Sequence, residues 1–232
     1  MAAQRTSNIK MGQVIVITLT NKPDLVQEAI ASVKAQTREC VHLVEVDSGQ
    51  YKGRYPPAVH YNVISKQCSA DDYISWLSDD DLMLPNFVAD LAGMLDRYPE
   101  YGCVWGWSMH VILNKNGTTT NIRPLPQDGN FTQVFSAANE AIFKLDGGQI
   151  MVRRSVLDKI SYPYQSEDTG EPSRRCDGFL MNKIAAAVGI YPLGKQVKIN
   201  RTTDKSGHLR IVNGKLTAID WTSDIAQYEV HL

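Results

Sequence analysis

Asp71-Asp72-Tyr73-Ile74-Ser75-Trp76-Leu77-Ser78-Asp79-Asp80-Asp81-Leu82-Met83-Leu84-Pro85-Asn86 is the stretch whose reading decides the fold. Tyr73 to Leu77 has the apolar content of a buried strand. Pro85, followed by Phe87, Val88, Leu91, Ala92 and Leu95 at helical spacing, opens an amphipathic helix. Three consecutive carboxylates stand on the loop between them. Like charges this close need a compensator, either solvent at a surface turn or a divalent cation, which takes hard oxygen ligands. The stretch by itself fits both. In an open α/β sheet, the loops at the carboxyl ends of the strands are where ligands collect.

Upstream, Val14-Ile15-Val16-Ile17-Thr18-Leu19 is a continuous run suited to a strand covered on both faces, and Thr20-Asn21-Lys22-Pro23-Asp24 breaks it. Pro23 starts a helix with Val26, Ala29, Ile30 and Val33 at helical spacing. Val41 to Val46 is a second strand ending at Asp47-Ser48-Gly49, so a second carboxylate lies at a strand end. A parallel β-α-β unit puts Asp47 on the same edge as the first loop. After a polar loop, Ala58 to Ile64 reads as a third strand, with no helix before Tyr73.

Downstream, the helix Pro85 to Tyr98 stops at Pro99. Gly102 to Leu113 is a strand or hairpin arm turning at Asn114-Lys115-Asn116-Gly117, and Thr118 to Asn130, which lacks periodicity, is a loop. Gly147 to Val152 is a strand entered through glycines, and Ser155-Val156-Leu157-Asp158 resembles a capping-box helix start. Pro163 to Arg175 is a polar loop. Asp177 closes it ahead of the helix Phe179 to Val188, which Gly189 stops. Gln196 to Asn200 is a last strand before the polar tail Arg201 to His208.

A chain of 232 residues is long enough for one well-buried α/β domain without a disulfide or zinc staple. Its net charge of -1 gives no basic field for indiscriminate nucleic-acid binding. A nucleic-acid acceptor would need Arg123, Lys144, Arg153, Arg154, Arg174 and Arg175 to gather on one face. Cys40, Cys68, Cys103 and Cys176 are scattered and read as reduced thiols. The run Val14 to Leu19 is too short for a signal-peptide core or a membrane span, so the expectation is a soluble, cytoplasmic protein.

The order of parts from about Val14 to His208 resembles the family 2 glycosyltransferases, with their nucleotide-sugar-binding GT-A fold. Thr18-Leu19-Thr20-Asn21-Lys22-Pro23 is similar to the family's Pro-Thr-Tyr-Asn-Arg-Pro loop, and Ala29 to Thr37 to the helix that ends in its Ala-Gln-Thr. Val44 to Gly49 is similar to its Val-Val-Asp-Asp-Gly-Ser strand end. Leu77-Ser78-Asp79-Asp80-Asp81 with Pro85 resembles its Leu-Asp-x-Asp-Asp and later Pro. The resemblance implies a GT-A-like α/β fold: a single Rossmann-like domain whose mostly parallel central sheet carries helices on both faces. Residues 13–113 would form the nucleotide-sugar-binding half and 114–210 the acceptor-binding half, between a tail (1–12) and a C-terminal extension (211–232).

The resemblance further implies an inverting transfer of one sugar from a nucleotide-sugar donor, with a UDP-sugar favoured, to an acceptor hydroxyl. Thr18, Leu19, Thr20, Asn21, Asp47, Lys66 and Asp79 would contact the nucleotide, Asp47 at its base. Asp80, with Asp81 and His208, would hold Mn2+ or Mg2+ on the diphosphate. Cys176-Asp177 resembles a Glu-Asp dipeptide whose Asp is the general base. Trp105, Trp107, Gly148 and Arg175 are the candidate acceptor contacts. Ser78 stands where the family has the first Asp of its metal motif, Cys176 where it has Glu, and the family's helix after the third strand has no counterpart. The Gln-x-x-Arg-Trp signature of processive synthases is absent.

Two other readings compete. One is a catalytically weakened nucleotide-sugar-binding domain of the same fold, which the Ser78 and Cys176 replacements allow. The other is a sugar-phosphate nucleotidyltransferase, against which Thr18 to Asp24 counts because it contains no glycine.

Overall fold

Consecutive β-branched residues suit a strand buried on both sides, and Val14–Thr20 forms one, β1, with Val16 and Ile17 fully buried. The computed structural model describes residues 12–20, 23–46, 56–113, 119–141, 144–160, 176–202, 209–212 and 215–218. Helix α1 (Pro23–Lys34) leads to β2 (Val41–Val46), and α2 (Pro56–Gln67) to β3 (Tyr73–Ser78). Both strands run parallel to β1. The turn after β3 passes into β4 (Leu82–Met83), α3 (Phe87–Arg97), β5 (Cys103–Leu113) and β6 (Thr119–Leu125). A 3-10 turn (Gly147–Gln149) enters β7 (Ile150–Arg153), and a second 3-10 segment (Arg154–Asp158) follows it. Helix α4 (Cys176–Val188) precedes β8 (Tyr191–Thr202), and β9 (Leu209–Val212) pairs with β10 (Lys215–Ala218) as a separate hairpin.

The main sheet has the order β2-β1-β3-β7-β5-β8-β4, with β6 paired to β5. β3 and β5 both pair antiparallel to β7, and β8 runs parallel to β5. Thus β1, β2, β3, β5 and β8 point one way, and the sheet is mostly parallel as expected. Alternate residues of β1 face opposite layers. Ile15 and Ile17 pack with Tyr61 and Ile64 of α2 and Leu180 and Ile184 of α4. Val14 and Val16 pack with Ala29 and Val33 of α1 and Leu91 and Leu95 of α3. Helices therefore cover both faces.

Four local readings are corrected. Ala58 to Ile64 lies within helix α2, not in a strand. His60, Tyr61, Ile64 and Ser65 are buried while Val63 is 47% exposed, a helical rhythm that the short β-branched run concealed. A helix thus does occupy the crossover before β3. The aperiodic Thr118 to Asn130 contains strand β6, which borrows its order from the ladder with β5 rather than from an apolar pattern of its own. Gly147–Gln149 is a 3-10 turn capped by Asp146, so the strand starts only at Ile150. Arg154–Asp158 is likewise 3-10 and has no side-chain cap.

The Gln36-Thr37 segment after α1 has a definite mechanical role. Gln36 donates to the Leu84 carbonyl (2.9 Å) and accepts from the Val88 N–H (3.0 Å), and Thr37 donates to Asn86 (2.9 Å). Asn86, the N-cap of α3, makes no side-chain cap bond. Gln36 supplies that cap from the segment just after α1, and so fixes the exit of the acidic loop.

Candidate active site

The ends of β1, β2 and β3 are level: Thr20 pairs with Val46, and Leu19 with Ser78. The acidic loop therefore opens at the carboxyl edge of the sheet, where an α/β sheet binds ligands. It begins as a tight turn in which the Asp81 N–H donates to the Ser78 carbonyl (3.2 Å). The Thr20 hydroxyl donates to Asp79 Oδ2 (2.8 Å), tying the loop to β1. Thr18, fully buried, pairs its hydroxyl with His42 Nε2 (2.9 Å), and Leu19 packs against the core. Of these three, Thr20 is the one whose side chain reaches the acidic loop. If the loop holds a nucleotide, as the family resemblance implies, Thr20→Val is expected to weaken that binding roughly 10-fold in a titration at fixed metal.

β4 pairs with β8 at Lys198 and Ile199, and this pairing brings a cationic pair to the acidic loop. Lys198 Nζ lies 2.7 Å from Asp81 Oδ2 and 2.8 Å from Asp146 Oδ1, and the lysine is 1% exposed. Asp146 also accepts from the Gly148 N–H (2.7 Å) and from Asn200 Nδ2 (2.6 Å). Arg201 donates its N–H to Asp81 Oδ1 (2.8 Å) and its Nε to the Asp80 carbonyl, and pairs with Glu28 of α1. Burial works against the Lys198 charge, but Asp146 and Asp81 outweigh it, so the lysine remains an ammonium. Burial also pushes the Asp146 carboxyl up, and Lys198, Gly148 and Asn200 more than offset it, leaving Asp146 below the usual carboxylate range. Burial dominates at Asp81, which lies above that range despite Lys198.

Asp177 sits in the first turn of α4 and accepts from the Gly178 N–H (2.8 Å). Burial, with the charge of Asp146 adding, raises its pKa to about 6 against the pull of Gly178 and Lys198. Tyr61 of α2 lies in the field of the same groups. Burial raises its phenol pKa, and the charges of Asp79, Asp177 and Asp81 raise it further while Lys198 opposes them. The charges of Asp79 and Asp81 after β3, Asp177 on α4 and Lys198 on β8 thus all act on one buried tyrosine.

Several expected contacts lie elsewhere. Lys66 is exposed in the last turn of α2, and the neighbouring Ser65 carbonyl accepts from Arg154, whose own N–H donates to Asp72 at the start of β3. That is the amino edge of the sheet, so Lys66 is removed from the nucleotide contacts. Asp81 has both carboxylate oxygens engaged, by Lys198 and by the Arg201 N–H, so it serves as a counterion. Trp105 is fully buried with its indole donating to the Gln133 carbonyl (3.0 Å), and offers no face to an acceptor. Trp107, half-buried, stacks on Phe131 (centroids 4.7 Å apart). Gly148 is buried against Lys198. Arg153 and Arg154 are occupied by carbonyls at the amino edge and do not form a basic face. Asn21, Asp47, Arg175 and His208 lie outside the described residues.

Sequence reading missed Tyr61, Asp146, Lys198, Asn200 and Arg201. Tyr61 was hidden by the mistaken strand. Lys198 alternates with Val197 and Ile199 like any half-exposed strand residue, and it is buried between β5 and β4 beside the Asp146 turn.

For the divalent cation implied by the fold family, the chemistry of the donor set is narrower than the triplet suggests. Among the described residues no group of three or more His, Cys, Asp or Glu side chains is placed to hold an ion. Asp79 and Asp80, adjacent in the turn after β3, are the hard-oxygen pair that would hold it. A pair of carboxylates suits an ion that completes its shell with phosphate and water oxygens, so the residues fit that mode of binding.

The chain resembles solved structures in fold. The crystal structure of S. aureus TarS residues 1–349 superposes with a TM-score of 0.55 at 16% identity, over 82% of this chain and 60% of that one. The same protein in complex with UDP-GlcNAc gives 0.54 at 16% identity, over 84% and 59%. GalNAc-T7 with UDP, GalNAc and Mn2+ gives 0.54 at 10% identity, over 84% and 45%. The fold is that of the GT-A glycosyltransferases. In sequence, Protein CgeD of Bacillus subtilis (strain 168) is 26% identical over 183 residues, 66% of this chain. No protein-family model matches. The chain spans 41% of the length of CgeD and about three fifths of TarS residues 1–349. No helix among the described residues is long and apolar enough to cross a membrane.

Proposed function

We propose that this chain is an inverting glycosyltransferase that moves one sugar from a UDP-sugar to an acceptor hydroxyl on a glycan, a modified nucleobase or another small molecule. The observation that carries the reading is the acidic loop Asp79–Asp81 opening at the carboxyl edge of the sheet, with Asp177 in the first turn of α4 acting electrostatically on the same buried tyrosine, Tyr61, as the loop does. The two GT-A structures solved with UDP-GlcNAc and with UDP, GalNAc and Mn2+ support the donor class.

In this reading residues 13–113 hold the donor and 114–210 the acceptor. Asp79, Thr20, Asn21 and Asp47 face the nucleotide, Asp47 at its base. Asp80, with Asp79 beside it and His208 from the tail, would hold Mn2+ or Mg2+. A bound divalent ion would neutralise the charge that collects on the departing nucleoside diphosphate. Asp177 takes the proton from the acceptor hydroxyl as its oxygen attacks the anomeric carbon. The bond from that carbon to the diphosphate oxygen breaks, and the configuration inverts. A carboxyl with a pKa of about 6 is suited to this, being ionised at neutral pH while more basic than an ordinary aspartate. Trp107 and Arg175 face the acceptor.

The test is release of UDP from UDP-GlcNAc in the presence of Mn2+, with water as the acceptor, across pH. The base must be unprotonated, so the rate is expected to rise through about pH 6 and level above it. Tight UDP binding with no release at any pH would favour the catalytically weakened binding domain instead.

A further inference from the structure

Lys198 does more than neutralise charge. Its ammonium joins two segments: the turn after β3, through Asp81, and the turn before β7, through Asp146. These segments are far apart in sequence, and one belongs to the donor half while the other belongs to the acceptor half. The fit is tight. A Cβ on Gly148 would come within 2.4 Å of Lys198 Nζ and 3.1 Å of Asp146 Oδ1, so any side chain there must displace the end of the lysine. Asn200, two residues along β8, holds the second oxygen of Asp146 and leaves that carboxylate one orientation. On the other side, Arg201 holds the second oxygen of Asp81 and the carbonyl of Asp80.

Three consecutive carboxylates at a turn repel one another, and a buried ammonium against the third sets where the first two point. We propose that Lys198 is a positioning residue that holds the Asp79-Asp80 pair and the Asp146–Gly148 turn at a fixed spacing, and thereby shapes the site for a nucleoside diphosphate. The inference rests on the nucleotide-sugar reading above. It assigns to Lys198, Asp146 and Gly148 a role in ligand binding beyond their contribution to folding.

The test separates these roles with two variants. Lys198→Met combined with Asp81→Asn and Asp146→Asn removes the charges together, a change that buried ionic clusters often tolerate without loss of stability. Gly148→Ala leaves every charge in place and displaces the end of Lys198, pressing also on Asp146 Oδ1. Each is titrated with UDP at a series of Mn2+ concentrations beside the native chain, and its melting temperature is measured. Both variants are expected to melt as one cooperative unit while UDP affinity falls about 10- to 100-fold and the Mn2+ concentration for half-maximal binding rises. Native UDP affinity, within about twofold, in either folded variant overturns the positioning role and leaves the transferase reading intact. If the native chain binds no UDP, GDP or CDP, that reading fails and this inference fails with it.

Discussion

Asp177→Asn is expected to lower sugar transfer by about 100- to 10,000-fold, the usual contribution of a general base, while UDP still binds. The amide keeps the shape of the carboxyl and its bond from the Gly178 N–H but has no lone pair basic enough to take the acceptor's proton. Stability supplies an independent readout. The folded carboxyl keeps its proton up to about pH 6, whereas in the unfolded chain it ionises near the ordinary value of about 4. Folding therefore takes up a proton in this window, and the native protein loses stability as pH rises through it. The asparagine does not titrate. The variant should melt no lower than the native chain at pH 7.5 and lose the advantage toward pH 4. An inactive variant that also melts lower at pH 7.5 would indicate a structural rather than a catalytic aspartate.

Lys198→Met alone is expected to destabilise the fold by about 3–5 kcal/mol, because it strands Asp81 and Asp146 without their partner in a buried site. The remaining donors to the two carboxylates, the N–H groups of Arg201 and Gly148 and the amide of Asn200, are neutral. Both stranded groups are then more easily protonated folded than unfolded. Folding takes up protons, so the loss relative to the native chain should shrink as pH falls from 8 to 5. Chemical denaturation at those two pH values checks both the size and the sign. A loss under about 1 kcal/mol at pH 8 would mean that water reaches the pair and screens it, as at an exposed salt bridge.

The strands β1, β2 and β3, the helices α1, α3 and α4, and the position of the acidic loop all follow from residues adjacent in sequence. Their signals are local, a β-branched run or an apolar stripe closed by Pro or Gly. The Ala35-Gln36-Thr37 segment after α1 is legible as a motif, and its hydrogen bonds to Leu84, Pro85, Asn86 and Val88 give that motif its physical content. What could not be read was set by distant partners. α2 resembled a strand because its buried side is polar as well as apolar, carrying His60 and Ser65 beside Tyr61 and Ile64. β6 is a strand only because β5 is beside it. Asp81 looked like a metal ligand because nothing in residues 71–86 shows that a lysine more than a hundred positions later will occupy it.

The donor site is tested most directly by calorimetric titration of UDP, then GDP and CDP, into the native chain and Asp80→Ala, each with and without Mn2+. UDP is expected to bind the native chain in a Mn2+-dependent manner and to lose that dependence in Asp80→Ala. If none of the three nucleotides binds under either condition, the acidic loop is a solvated turn stabilised by Lys198 and Arg201, and the transferase reading is wrong.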